Sequence, residues 1–451
     1  MLPLAALAAL MAAAGAFAAA ESRGGSAQPI RVAILSDCQG AFGAFYEQDI
    51  GGAQAAFANY AGGKAKNRNK PSAGMTGIRV AGRPVNIVGY GCSNDTAPRA
   101  LAETRRLMER LNADILIGPL SGDEGIAVAN YAKAHPTKTF LNGTSGAQDT
   151  TLKVRAPNFF RFNSDGAQWS AGLGDYAFNR LKWKKAALIS DDYSFAWTSA
   201  GGMVAEFCAV GGQITKRVFP PLNTTDYSSF VQQLPTDVDG YFWAVGGAGL
   251  TPSLRAFEQA KGPIDGKKFI GNLFWSDPTQ YKELSDRVAG ALASGPTAPD
   301  SNSARAKQYV ANLGKAYSKF GSADVATSAP SVFVYNYYNA AWGLVKALQA
   351  VKGDISGNQK KLQAALQRVT LPAGYGDIRL DRNRNAITDN YVQQIVKGAN
   401  GDLTVKTVLR IPAVDQSFGG TFSPTTPAPG RAAPACTKRS LPWIGKARPV
   451  N

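Results

Sequence analysis

Arg31-Val32-Ala33-Ile34-Leu35-Ser36, with Cys38 just beyond it, is an apolar run without polar alternation. A short run of this kind suits a strand buried on both faces, the usual state of strands in parallel sheets. Pro84-Val85-Asn86-Ile87-Val88-Gly89-Tyr90 is a second such run and stops just before Cys92. If the two strands are neighbours in one sheet, their carboxyl ends share an edge and the two sulfurs can meet there. Between and after them the pattern turns helical. Ala97, Leu101, Leu107, Met108 and Leu111 fall on one helix face, behind Asn94 and Asp95 as capping residues. The strand Asp114–Ile117, the helix Glu124–Lys133 and the strand Thr139–Leu141 follow. This βαβ rhythm implies a parallel sheet with helices on both faces.

The rhythm restarts after Phe162-Asn163-Ser164. A helix from about Gln168 to Leu181 leads to the strand Ala186–Ser190, the helix Ala196–Val210, the strand Gln213–Val218 and the helix Tyr227–Leu234. The strand Gly240–Val245, the helix Leu250–Ala260 and the strand Lys268–Gly271 complete a second unit. Gly295-Pro296-Thr297-Ala298-Pro299 reads as a crossing segment, followed by the helices Ser331–Val351 and Gln359–Val369. The last strands are Asp377–Leu380, Ala386–Val396 and Leu403–Ile411. From Pro412 the composition turns to Pro, Ser, Thr and Gly, which reads as a surface tail with little structure of its own.

A chain of 451 residues, 45% of them hydrophobic and 18% charged, holds more apolar material than one compact domain usually buries. Its single histidine, His135, removes most metal sites and nearly every Ser-His or Cys-His catalytic arrangement. No metal, cofactor or catalytic residue is expected. The net charge of +17 comes from basic residues placed singly or in pairs, as at Arg105-Arg106 and Lys184-Lys185, so a dispersed solvated surface is expected and no nucleic-acid partner. Residues 1–20 carry no charge, and the triplets Ala16-Phe17-Ala18 and Ala18-Ala19-Ala20 suit a signal peptidase. Export, removal of this leader and a periplasmic location are expected. In such a compartment Cys38, Cys92, Cys208 and Cys436 can form disulfides, with three pairings open. The strand argument favours Cys38 with Cys92, which leaves Cys208 for Cys436 by elimination. The alternative for Cys208 is a buried thiol inside a helix.

The order of these segments resembles the type I periplasmic solute-binding proteins of ABC importers, in particular the leucine/isoleucine/valine-binding family. The resemblance spans about residues 29 to 412. It rests on RVAILSDCQGAFGAF with the helix FYEQDIGGAQAAFANY, NIVGYGCSNDTAPRALAETRRLM, DILIGPLSGDEGIAVA and TFLNGTSGAQDTTL. AALISDDYSFAWTSAGGMVAEF, VDGYFWAVGGAGLTPSLRAFEQAK and GDIRLDRNRNAITDNYVQQIV continue the series in order. The resemblance implies an α/β fold of two doubly wound parallel-sheet lobes joined by three crossovers, with the last strands returning to the second lobe. On that pattern residues 29–160 and 297–376 form the N-terminal lobe, 161–296 and 377–412 the C-terminal lobe, and 413–451 a Pro-rich basic tail.

Ligands of open α/β sheets bind beyond the carboxyl ends of the strands. Gly118-Pro119-Leu120-Ser121-Gly122 follows a strand and opens a helix, so the Ser121 hydroxyl and the amide of Gly122 would face an anion. Asn142-Gly143-Thr144-Ser145-Gly146 offers the same chemistry, and the resemblance carries a carboxylate-gripping role to Ser121, Thr144 and Ser145. The bland reading is that these residues only cap helices. The resemblance also puts Phe45, Tyr193, Trp197, Gly247 and Trp275 in ligand-facing loops, although each aromatic could equally be core. Leu273 stands where amino-acid binders place a carboxylate for the ligand ammonium, a departure that puts an amino-acid ligand in doubt. Asp277, Asp191 or Asp192 could supply that charge instead. The aromatic surplus sets flat aromatic acids beside branched-chain amino acids as candidates.

The expected function is therefore non-enzymatic: a monomer that captures a small carboxylate-bearing solute between two lobes and delivers it to a membrane permease. A sensor of the same fold acting through a partner protein is the alternative. An enzyme would need a positioned base or metal, and Asp37 and the Asp191-Asp192 pair are the polar clusters at strand ends.

Overall fold

The computed structural model describes residues 28–280, 284 and 286–450, so the expected leader at residues 1–20 lies outside the described residues. The first sheet is built on β1 (Ile30–Asp37), β2 (Arg83–Ser93), β3 (Ile115–Ile117), β4 (Thr139–Leu141) and β5 (Phe159–Phe160). They lie in the order β2-β1-β3-β4-β5, all parallel, with a short antiparallel strand Arg79–Val80 at one edge. From Val32 to Ser36 the apolar run is buried at every position, as a strand covered on both faces must be. Ser36 stands opposite Cys92 and Asp37 opposite Ser93. That register carries the two cysteines to one edge, where Cys38 and Cys92 are bridged with Cα atoms 5.1 Å apart.

The second sheet contains β6 (Lys185–Ser190), β7 (Gln213–Val218), β8 (Gly240–Ala244), β9 (Phe269–Gly271) and β10 (Leu292–Gly295), parallel in the order β7-β6-β8-β9-β10. It continues antiparallel through β13 (Ala386–Lys397), which pairs with β14 (Leu403–Val414) and, on its other flank, with β12 (Gly376–Leu380) and then β11 (Thr370–Ala373). The sheet is thus mixed, not purely parallel, because its last strands arrive as hairpins that need no crossover. After β10 the chain returns to the first body. There the helices Ala304–Ala316, Val332–Ala350 and Lys360–Gln367 share a core with β1 through Leu313, Leu344 and Leu366.

Three local expectations change. The helix at Ala97 begins without a side-chain cap. Asp95 turns the other way and accepts the Ala41 amide at 2.5 Å. The single helix expected from Gln168 to Leu181 is broken into Gly166–Trp169, Leu173–Asp175 and a wide turn at Tyr176–Arg180. Gly172 there adopts φ 97°, and the Glu206 carboxylate takes the amides of Gly172 and Gly174, which a continuous helix would have used. Among the described residues the tail beyond Val414 has only Arg448–Pro449 in regular structure, yet Phe418, Phe422, Leu441 and Trp443 are buried in the second body's core beside Phe207 and Ile411. Cys436 in that tail is bridged to Cys208 with Cα atoms 5.1 Å apart, so Cys208 is not a free thiol. Among the described residues no helix is long and apolar enough to cross a membrane.

Candidate functional site

The carboxyl ends of β1, β3 and β4 face those of β6, β8 and β9, and the loops between them enclose a cavity of about 20 Å³. Phe42, Leu120, Ser121, Gly122, Thr144, Gly146 and Phe333 line it from the first body; Trp169, Tyr193, Phe195, Leu273 and Phe274 line it from the second. The aromatic rings fill the space by packing across the divide. Phe42 stacks on Phe274 with centroids 5.5 Å apart and leans on Tyr193 at 5.9 Å. Phe195 stands edge-on to both Trp169 and Phe274. Backbone approach is close as well: a Cβ on Gly122 would come within 2.6 Å of the Phe195 nitrogen, so only glycine lets the two bodies meet there.

At the first-body wall the helix Gly122–Ala134 starts from Ser121 as N-cap, and the Ser121 hydroxyl makes no capping bond. That hydroxyl and the Thr144 hydroxyl are both buried without a hydrogen-bond partner in the protein, as is the Trp169 indole nitrogen opposite them. Three unused polar groups on the walls of one cavity, beside the positive end of a helix, are donors of the kind a carboxylate accepts. Among the described residues no charged side chain lines the cavity.

Acidic groups stand behind this wall. Burial raises the Asp37 carboxyl well above its ordinary range, with Glu124 and Asp95 beside it adding to the effect. Burial likewise pushes Glu124 up to about 7, and on the second body it raises Asp191. Asp95 holds the turn that carries Phe42, and Ser93 donates to Glu124, so these carboxyls fix the loops of the first wall. Among the described residues no group of His, Cys, Asp or Glu has a metal-binding arrangement. A larger groove of about 1010 Å³, bordered by Lys346, Lys352, Lys361 and Arg368, lies open on the outer helices away from the strand ends.

Of the residues singled out from sequence, Ser121, Gly122, Thr144 and Tyr193 line the cavity. Phe45 does not: its ring stacks under Phe333 at 3.6 Å, and the ring at the cavity is Phe42, one 3₁₀ turn earlier. Ser145 turns back toward the helix Gly122–Ala134, its hydroxyl 2.0 Å from where a Cβ on Gly125 would stand. Trp197 points outward and donates its indole N–H to Asp192 at 2.9 Å. Gly247, at φ 53°, carries the second body's loop against the backbone of Ala41 and packs the interface outside the cavity. Trp275 is fully buried in the second body against Phe269, and its neighbour Phe274 takes the cavity position. None of the acids offered as an ammonium partner lines the cavity. Asp277 accepts from Thr279 and Ser331, Asp191 from the Gly246 amide, and Asp192 from Trp197 and Arg431. Phe42, Trp169, Phe195, Phe274 and Phe333 escaped the sequence reading. Their signal was aromatic residues clustered at strand ends and helix starts.

The periplasmic binding protein family matches residues 29–401. No curated protein matches the chain by sequence. Among solved structures, an ABC transporter substrate-binding protein from Sphaerobacter thermophilus is similar at 20% identity, covering 86% of this chain and 99% of its own, with TM-score 0.71. A solute-binding protein of an ABC transporter from R. palustris, in complex with benzoate, is similar at 20% identity over 86% of this chain and 98% of that one, with TM-score 0.70. A leucine binding protein from Thermotoga maritima is similar at 17% identity over 84% and 97%, with TM-score 0.67.

Proposed function

We propose that this chain, which belongs to the periplasmic binding protein family, is the extracytoplasmic solute receptor of an ABC importer and that its cargo is a small aromatic monocarboxylate. The observation that carries the reading is the composition of the cavity: unused Ser121 and Thr144 hydroxyls on one wall, aromatic rings on the others and no charged side chain. A carboxylate meets hydrogen-bond donors at a helix start, and a flat ring meets Phe42, Tyr193 and Phe274. An amino acid would bury its ammonium without a partner, at a cost of several kcal/mol. Structural neighbours in complex with benzoate, 3,4-dihydroxybenzoic acid and p-hydroxybenzoic acid support the same class.

In this reading residues 29–160 with 297–376 and residues 161–296 with 377–412 are lobes that part to admit the solute. The solute then favours the closed state because only there do both walls touch it. Release passes to a membrane permease, and the receptor works as a periplasmic monomer without turnover. Calorimetry on the purified chain with benzoate, 4-hydroxybenzoate, 3,4-dihydroxybenzoate and leucine tests it. Binding of one of the aromatic acids and silence with leucine are expected; the reverse pattern overturns the ligand class.

A further inference from the structure

The chain beyond Val414 has no part in the function just described, and the family match ends before it, at residue 401. It is nevertheless anchored firmly to the second body. Phe418, Phe422 and Trp443 are buried there, Trp443 donates its indole N–H to Glu206 at 2.8 Å, and Cys436 is bridged to Cys208. From these anchors the segment reaches residues that flank the cavity-lining loops of both bodies.

On the second wall, the Arg431 guanidinium grips the Asp192 carboxylate with Nε and Nη2, the former at 2.9 Å. Asp192 directly precedes Tyr193, and the same carboxylate accepts from Trp197 one turn into the helix that begins with Phe195's neighbour Ser194. On the first wall, Lys153 ends the short helix that follows the Thr144–Gly146 loop. Its ammonium donates to the carbonyls of Ser423 and Pro424, each at 3.1 Å, and of Thr426. Gln416 donates to Thr151 at 2.7 Å, and Gln148 donates to the Gln416 carbonyl at 3.3 Å.

We propose that residues 416–436 form a strap across the binding cleft, in which Arg431 is a positioning residue for the Tyr193–Phe195 wall and Lys153 ties down the Thr144 wall. An exposed ion pair alone contributes little, and Arg431 is 68% exposed. Here the disulfide holds the guanidinium next to its partner, so its contacts and those of Lys153 act at high effective concentration. Opening the lobes has to stretch or release the strap, which therefore sets how far the cleft opens and how firmly it holds its solute. The affinity effect rests on the cleft being the solute site; the opening effect does not.

The test uses the full chain with Arg431→Gln, Arg431→Lys, Lys153→Met and the Cys208→Ser, Cys436→Ser pair. Hydrogen exchange and small-angle scattering of the ligand-free proteins read the opening, and calorimetry with 4-hydroxybenzoate and benzoate reads affinity. Arg431→Gln should speed exchange across residues 191–197 and weaken binding by about three- to tenfold, with Arg431→Lys recovering part of both. Lys153→Met should speed exchange across residues 144–153, and the cysteine pair should do both and enlarge the radius of gyration. If wild-type chain binds neither acid but these segments still loosen, the strap stands and the ligand class falls. If exchange and scattering are unchanged in Arg431→Gln and Lys153→Met, and removing the disulfide lowers only the melting temperature, the strap is refuted and the tail is a structural patch.

Discussion

Ser121→Ala and Thr144→Val should move stability and affinity in opposite directions, which few binding-site substitutions do. Both hydroxyls are buried, Ser121 at 2% and Thr144 at 4% exposure, and neither has a protein partner. A buried hydroxyl left without a partner costs roughly 1–3 kcal/mol, so removing it from the ligand-free protein relieves a penalty and breaks no bond. The melting temperature should hold or rise by about 1–3 °C for each substitution. With an aromatic carboxylate bound, each hydroxyl donates to a charged acceptor, a bond worth roughly 1.5–3 kcal/mol, so its loss should weaken binding by about 10- to 100-fold. The two sites face one ligand group, so the double variant should fall short of the product of the single effects. Differential scanning fluorimetry without ligand and calorimetry with 4-hydroxybenzoate measure the two quantities on the same preparations. Loss of stability with affinity intact would mean that the hydroxyls cap helices and nothing more, and the carboxylate cradle would be wrong.

Glu206, fully buried and accepting from Gly172, Gly174 and Trp443, is pushed up to about 8 by burial. A carboxyl raised on folding contributes stability that is whole below its unfolded value near 4.5 and lost as pH climbs through about 8. The wild-type melting temperature should therefore decline between pH 5 and 8, and Glu206→Gln should flatten that decline; an equal slope in both proteins refutes the assignment. Glu124, pushed up to about 7 beside Ser121, becomes negative above that pH, next to the proposed carboxylate cradle. Aromatic-acid affinity should thus fall between pH 6 and 8 in wild type and stay level in Glu124→Gln, as titration calorimetry across that range will tell. Phe42→Ala removes a ring that stacks on Phe274 and leans on Tyr193. A ligand ring packed on Phe42 gains about 0.5–1.5 kcal/mol beyond its buried area, so with that area lost as well 4-hydroxybenzoate binding should weaken by about tenfold. Phe45→Ala should act mainly on stability, by roughly 3–5 kcal/mol, and comparable affinity losses in the two variants would mean that the wrong ring has been placed at the cavity.

Much of the fold was legible because buried parallel strands write themselves as apolar runs, and those at Arg31, Ala186 and Gly240 lie within a residue or two of β1, β6 and β8. Their carboxyl ends locate the loops of the site for the same reason. Within a loop the rule fails. Phe42 and Phe45 share one short 3₁₀ helix, Thr144 and Ser145 are adjacent, and so are Phe274 and Trp275. No 3.6- or 2-residue period governs such turns, so sequence names the loop but not which neighbour faces the cavity. The strand Thr370–Ala373 contains a proline and sits at the sheet's end, where a missing amide is tolerated, so it gave no strand signal. The tail misled differently: its composition is that of a linker, and four widely spaced apolar residues with one cysteine are enough to pin it.

The placement of charge supports the proposed preference for an acid over a zwitterion. Asp192 and Asp277 lie on the second body near the cleft and spend their carboxylates on an arginine and on hydroxyls, and Asp191 gives one oxygen to the Gly246 amide and lies outside the cavity lining. Leu273 occupies the wall, so an incoming ammonium finds rings and an aliphatic side chain where it needs an anion. A carboxylate needs only donors, and those are present on the first wall as hydroxyls and helix amides that carry no net charge. Neutral donors have a further consequence. When the rings of Phe42 and Phe274 lie against each other without ligand, the wall behind them holds no unpaired cation, and closure strands dipoles at most. An arginine in place of Ser121 would grip an acid harder, but it would also leave a full charge buried each time the lobes close without cargo, and so hold the cleft open. In the proposed receptor, serine and threonine would keep the penalty small enough to pass between open and closed states, and the solute would then decide which one is populated.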